Sequence, residues 1–280
     1  MKHNVYMSKA IRFISILAIF ATLFALTSCC CAIQDIFQPN NITEGFSNVV
    51  DYTVTEKDYK TGSLVLADDK HSYNYAFSDD ELLVCAAYRN ANIQLDKDGN
   101  KIGYYYMNSQ HRMKLTKEAM EAAHNMLVDA EKAVKKDDLL IAYTYGFNDS
   151  DNEEYKTALL IYLTDYEDQR LNSAYSEWFE ENAAKYGFIE SFEDGYRYVG
   201  VPHAKAISGS KNILSLADYI EYLKANTNVN KTIEIEVDGT TYKVYYVACA
   251  AGDTIKVPAG KDYTISGTNE GGVIVTVKTN

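Results

Sequence analysis

The chain has 280 residues, 47% of them hydrophobic and 12% aromatic with 24 tyrosines, which is enough apolar material for a sizeable core. Its formal net charge of −12, without clustered Lys or Arg, excludes a nucleic-acid partner, because phosphates demand a basic face.

Lys2, Lys9 and Arg12 precede an apolar run from Phe13 to Leu26, the charged-then-apolar order of a secretory signal. The run falls short of the roughly 20 apolar residues of a membrane-spanning helix. It ends at Leu26-Thr27-Ser28-Cys29, a small-residue lipobox with cysteine at the cleavage point. This predicts a lipoprotein signal peptide over residues 1–28 and lipid on Cys29, with the mature chain held on the outer side of a bacterial cytoplasmic membrane. Removing residues 1–28 takes away three positive charges and no acidic ones, moving the formal charge from −12 to −15. Cys30 and Cys31 adjoin the lipid site, which leaves Cys85 and Cys249 in folded territory either as a disulfide or as two buried thiols.

Residues 29–60 are polar, with Pro39-Asn40-Asn41 and no sustained period, and are read as a tether. A folded domain is expected over residues 61–226. Leu64-Val65-Leu66 and Leu82 to Tyr88 have the form of short strands. Thr116 can cap a helix whose apolar residues Ala119, Met120, Ala123, Leu127, Ala130 and Val134 recur at helical spacing. Buried strands follow at Leu139 to Tyr145 and Ala158 to Leu163. Next come a helix around Leu171 to Lys185 carrying Trp178, a short strand at Tyr196 to Val199, and a helix opened by Ser215. The fold class is mixed α+β, without a regular βαβ repeat. Residues 227–280 change to alternation, with a hairpin around Asp238-Gly239 and further strands at Thr254 to Val257, Tyr263 to Ser266 and Val273 to Val277, and are read as a small all-β extension.

The run Trp178-Phe179-Glu180-Glu181-Asn182-Ala183-Ala184-Lys185-Tyr186-Gly187-Phe188-Ile189 resembles a segment of the VanY-type D-alanyl-D-alanine carboxypeptidases. Arg197-Tyr198-Val199-Gly200-Val201-Pro202-His203-Ala204 and then Leu216-Ala217-Asp218-Tyr219-Ile220-Glu221-Tyr222-Leu223 resemble that family's closing strand and helix, in the same order. The tail, with Gly252-Asp253-Thr254 and Tyr263-Thr264-Ile265-Ser266-Gly267, is similar to a β extension carried by some members. The resemblance covers residues 61 to 280 and implies a small antiparallel sheet with packed helices.

It also implies zinc, which polarises a peptide carbonyl and makes hydroxide from water, with a glutamate as general base. The family's His-x-x-Gly-x-Ala-x-Asp stretch, the source of two ligands, aligns with Tyr155-Lys156-Thr157-Ala158-Leu159-Leu160-Ile161-Tyr162. Tyr155 and Tyr162 therefore stand where the resemblance expects His and Asp. The third ligand and the base lie in a Glu-x-Trp-His stretch before Arg-Tyr-Val-Gly, a place that reads Phe192-Glu193-Asp194-Gly195 here, over a shortened connection. Gly195 is the third former ligand position. The family's Ser-Gly-Tyr-Arg-Ser motif, whose arginine would grip a substrate carboxylate, is replaced around Thr144-Tyr145-Gly146-Phe147.

Rescue of the metal site by His71, His111, His124 and His203 is not expected, since none forms a ligand pair at a recognised spacing. His124 is read as a half-buried structural residue and His203 as a group satisfied by a backbone hydrogen bond. Glu190, Glu193 and Asp194 could rebuild a centre only through a shifted loop. Ser208-Gly209-Ser210-Lys211 and Lys60-Thr61-Gly62 match two serine-carboxypeptidase motifs but in reversed order, and are set aside. Trp178 is read as a core anchor, and Arg197 as satisfying a buried carboxylate or carbonyl.

Three functions are consistent with these residues. The first is a lipoprotein that kept the scaffold, lost zinc and has no catalytic residue, and that binds a peptidoglycan stem peptide or an envelope protein through residues such as Tyr145, Tyr155, Tyr162 and Arg197. The second is an active metal-dependent D-Ala-D-Ala carboxypeptidase with a displaced metal site. The third is a partner-binding module carried by the β extension.

Overall fold

The structure is a computed structural model that describes residues 42–104, 106–147, 151–166 and 170–280. The expected signal peptide and Cys29 lie outside the described residues. In chain order the elements are β1 (Ile42–Glu44), β2 (Val49–Thr53), α1 (Glu56–Lys60), β3 (Leu82–Val84), α2 (Cys85–Asn92), β4 (Gln94–Leu95), β5 (Lys101–Ile102), β6 (Met107–Asn108), β7 (Lys114–Thr116), α3 (Lys117–Val134) and β8 (Leu139–Tyr143). A 3-10 turn at Glu153–Thr157 leads into β9 (Leu160–Asp165), followed by α4 (Ser173–Asn182), β10 (Phe188–Phe192), β11 (Gly195–Tyr198), α5 (Val201–Ser208), α6 (Leu216–Asn226), β12 (Lys231–Val237), β13 (Thr240–Ala248), β14 (Thr254–Pro258), β15 (Tyr263–Gly267) and β16 (Gly272–Lys278). Among the described residues no helix is long and apolar enough to cross a membrane.

The first sheet has the order β10-β11-β9-β8-β6, antiparallel throughout except for the β6–β8 pair. Helix α3 forms where the sequence predicts it. The Thr116 side chain caps the amide of Ala119, and Ala119, Met120, Ala123, Met126, Leu127 and Ala130 make one buried face. That face and α4 pack on Leu139, Ile141, Ile161 and Leu163 of the sheet. Trp178 packs at the edge of this core, with its ring edge-on to Phe179 at 5.3 Å. The opposite face of β9 and β11 carries Tyr162 and Gly195, and that face holds the candidate site.

The second sheet has the order β1-β12-β13-β16-β15. Asp238 and Gly239 close the β12–β13 hairpin, both at positive φ, as a tight two-residue turn requires. One face of this sheet packs on Ile207, Ile213, Leu216, Ile220 and Leu223 from the α5–α6 region. The other face, with Tyr245, Val273, Val275 and Val277, is covered by Val54, Ile255 and Val257 from β2, β14 and their flanks. The all-β extension is thus a central layer, buried on both sides.

Residues 42–60 correct the expected tether. Strand β1 pairs with β12 through Ile42↔Ile233, and β2 pairs with β14 through Val50↔Val257. Both are short edge strands, which need no strict apolar alternation, and their partners lie about two hundred residues away. Helix α1 then docks on β15, where a Cβ at Gly267 would sit 2.0 Å from the Tyr59 carbonyl oxygen, so only glycine permits the approach. Two other expectations change. Leu64 to Leu66 form a buried turn rather than a strand, with Leu64 N–H donating to Ser266 Oγ at 2.9 Å. Leu82 to Tyr88 divides into β3 and the start of α2, because a short apolar run is compatible with either element. Cys85 and Cys249 are both free thiols.

Glu131, in the last turn of α3, is fully buried, with Oε1 accepting from Leu139 N–H at 3.2 Å and Oε2 without a partner among the described residues. Burial pushes this carboxyl up from 4.5 to about 8. The unfolded chain loses that proton above 4.5 while the folded chain keeps it to about 8, so stability declines across this window. Glu131→Gln should therefore gain stability over the parent progressively from about pH 5 to about pH 8 in urea unfolding, and a difference that is flat with pH would contradict this. A fragment of residues 227–280 leaves both faces of its sheet uncovered and should show no cooperative thermal unfolding; a sigmoidal melt from that fragment would refute the two-faced core.

Candidate functional site

Strand β9 places Tyr162 directly opposite Gly195 of β11, so two of the three positions that the resemblance equates with zinc ligands are register partners. Tyr155 sits in the 3-10 turn that feeds β9 and is 5% exposed. The shortened connection is a two-residue turn, Glu193-Asp194, closing the β10–β11 hairpin through Phe192↔Gly195. A bulge between Glu190 and Phe192 re-aims Phe192, and its ring lies where a side chain at 195 would project: a Cβ there would sit 2.5 Å from the ring.

From Phe192 a row of rings crosses the sheet. Phe192 stacks on Tyr162 at 6.2 Å, Tyr162 meets Tyr143 at 5.8 Å, and Tyr143 stacks on Phe147 at 5.6 Å. The Arg112 guanidinium ends the row, 5.2 Å from the Phe147 ring centre. Each ring pair contributes about 0.5–1.5 kcal/mol beyond its buried area. The middle rings each have a ring neighbour on either side, so the row lies over positions 162 and 195 with its rings half-buried.

Zinc sites in proteins draw on imidazole, thiolate and carboxylate donors. Among the described residues no three His, Cys, Asp or Glu side chains are grouped to hold a metal ion. The residues present at this place do not fit zinc. His124 lies between the Tyr88 and Tyr106 rings, with Nδ1 3.3 Å from the Tyr106 hydroxyl, and burial lowers its pKa. His203 is not satisfied by backbone, as its sequence suggests, but by two side chains: Nδ1 is 2.9 Å from Tyr219 OH and Nε2 2.9 Å from Thr276 Oγ1. Burial holds it neutral, with a pKa of about 3. His111 is exposed. Glu193 pairs with Arg170 at 2.7 Å on the surface, and Asp194 accepts from Leu171 N–H, its carboxyl raised by burial. Glu190 is exposed. The Ser208 to Lys211 motif ends helix α5 instead of opening one.

Arg197 lies on the same face as Gly195 and is wholly buried. Its Nη2 donates to the Val65 carbonyl at 2.9 Å and its Nε to the Tyr198 carbonyl at 3.4 Å, while Nη1 is 3.7 Å from Glu154 Oε1. Glu154 also accepts from Ser191 Oγ at 2.6 Å. Over this ion pair runs the segment Val65 to Phe77, in which Tyr73, Tyr75 and Phe77 cluster and Phe77 meets Tyr145 edge-on at 5.7 Å. Tyr145 is thus placed with the covering rings.

Beside this cover a groove of about 840 Å³ opens alongside the second sheet. Tyr73, Phe77 and Tyr198 line one wall, Tyr242, Tyr263 and Lys278 the other, and Lys117, Glu118 and Asp262 supply charges of both signs. Neither the ring row nor this groove is visible from the sequence motifs. Tyr143, Phe147 and Phe192 are adjacent to Tyr162 only once strand register is known, although aromatic residues on the non-core parity of two strands were a usable signal.

No family model matches the chain. It is 41% identical over 114 residues to a D-alanyl-D-alanine carboxypeptidase of Enterococcus faecium, a match covering 36% of this chain and 36% of that protein. The chain thus spans about a third of the length of the curated relative it matches. Its fold is that of the vancomycin-resistance D,D-dipeptidase VanXYg, solved with a D-Ala-D-Ala phosphinate analogue, with a TM-score of 0.61 at 18% identity over 82% of this chain and 99% of that one. VanYB in complex with D-alanine-D-alanine overlaps 57% of this chain and 97% of its own length at a TM-score of 0.36 and 16% identity.

Because a Cβ at position 195 must displace the Phe192 ring, Gly195→Ala should cost roughly 1–3 kcal/mol in urea unfolding. Phe192→Leu should remove most of that cost, giving a coupling well above about 0.5 kcal/mol in a double-mutant cycle. Additive effects would show that the ring is not held over Gly195.

Proposed function

We propose that this chain, a VanY-like relative of the D-alanyl-D-alanine carboxypeptidases, is a lipid-anchored envelope protein that binds peptidoglycan stem peptides without hydrolysing them. The observation that carries this reading is the row of rings laid across Tyr162 and Gly195, which occupies the ground where the resemblance expects a metal-bound water. Hydrolysis by this fold's chemistry needs a Lewis acid and a base placed together, and the side chains over these positions are phenols, phenyl rings and a glycine.

Binding makes fewer demands. The groove beside Tyr73 and Phe77 offers aromatic walls for alanine-sized side chains and charges of both signs for the ends of a short peptide. The D-Ala-D-Ala phosphinate analogue held by VanXYg, which shares this fold, supports the peptide class. Anchoring follows from the lipobox at Cys29 and would hold the groove at the wall face of the membrane.

The purified full chain should contain no stoichiometric zinc and release no D-alanine from a peptide ending in D-Ala-D-Ala, while soluble stem peptides titrate it with a saturable calorimetric signal. Chelator-sensitive release of D-alanine would overturn the non-catalytic assignment. Absence of both release and peptide binding would leave an envelope protein as the ligand.

A further inference from the structure

We infer that His71 is a pH-sensitive latch, fastening the segment Asp68 to His71 to the turn between β15 and β16 when protonated and loosening it when neutral. The geometry is specific. His71 Nδ1 lies 2.7 Å from Asp68 Oδ1 on its own segment, and Nε2 lies 2.5 Å from Glu270 Oε1 on the turn. Both ring nitrogens thus face carboxylate oxygens. An imidazolium donates to both; a neutral imidazole has one N–H, so one contact then sets a nitrogen lone pair against an anion.

The charged groups around the ring are accounted for. Glu270 also accepts from Lys224 Nζ at 3.1 Å, and Lys224 is shared with Glu221 at 3.3 Å on the same helix α6. Asp69 and Lys70 on the segment point to solvent. Burial works to lower the His71 pKa, but the hydrogen bonds to Glu270 and Asp68 outweigh it, and the net direction is upward from 6.5. With a raised histidine, the contribution is complete below 6.5 and is lost as pH rises through the folded value.

The remaining fastenings do not titrate near neutrality. Leu66 N–H donates to the Thr268 carbonyl at 3.0 Å, and Asn269 Nδ2 donates to the Leu66 and Ser72 carbonyls at 3.1 and 3.2 Å. They hold Leu66 and Ser72, and Tyr73 N–H donates to Glu153 Oε2 at 2.9 Å, so loosening falls on residues 68–71 between these ties, next to Tyr73, which lines the groove. The latch stands independently of the peptide-binding reading; only its consequence for the groove rests on it.

Hydrogen exchange on the full chain, corrected for the intrinsic pH dependence of amide exchange, tests this without any ligand. Protection of residues 68–71 should fall about ten-fold or more between about pH 6 and about pH 9, with the β12–β13 hairpin unchanged. His71→Gln should show low protection at both pH values, and the His71 ring should titrate above 6.5 by NMR. Should His71→Gln fail to fold, Glu270→Gln removes the demand for the second proton and should flatten the pH dependence. Unchanged protection across pH, the same profile in either variant, or a ring titrating at or below 6.5 would overturn the latch.

Discussion

The pairing of Tyr162 with Gly195 is the constraint on which the character of the site depends. A side chain at 195 would meet the Phe192 ring, and the ring in turn rests on Tyr162. Glycine, the bulge before Phe192 and the two-residue turn at Glu193-Asp194 therefore act together. Each admits the ring, and the ring closes the ground above β9 and β11. Reversing any one of them alone would leave either a clash or a void, so one introduced ligand would not build a metal centre here.

Around that site the architecture is set by the second sheet. Its strand β16 is buried along almost its whole length, because α5 and α6 cover one face while β2 and β14 cover the other. Each fully buried Val of β16 is worth about 1.5–3 kcal/mol, so the sheet behaves as a core layer. It also reaches the site directly. The turn at Thr268 to Gly271 grips the segment from Leu66 to Ser72, and that segment lays Tyr73 and Phe77 over Arg197 and Tyr145.

Much of this was legible in the chain itself. Thr116 and its apolar period located α3, Ser215 capped α6, and Asp238-Gly239 marked the hairpin, since each signal is local and strong. The VanY-like fold was legible from the Trp178 to Ile189 and Arg197 to Ala204 runs. What was hidden is non-local. Strands β1 and β2 looked like a tether because an edge strand needs no apolar alternation and its partner is remote in sequence. Val65 looked like strand because it is apolar, yet its carbonyl is turned to Arg197 instead of a neighbouring strand. Tyr155, Tyr162 and Gly195 could be named from motif alignment, but the neighbours that fill their space, Phe192 and Tyr143, emerge only from register.

The most direct test of the central claim is a crystal structure of the full chain grown in excess zinc, with anomalous scattering recorded at the zinc edge. The expected result is the Phe192 ring stacked on Tyr162 and no anomalous peak over β9 and β11. A peak there, with Phe192 swung away and His, Asp or Glu side chains drawn onto it, would contradict the account.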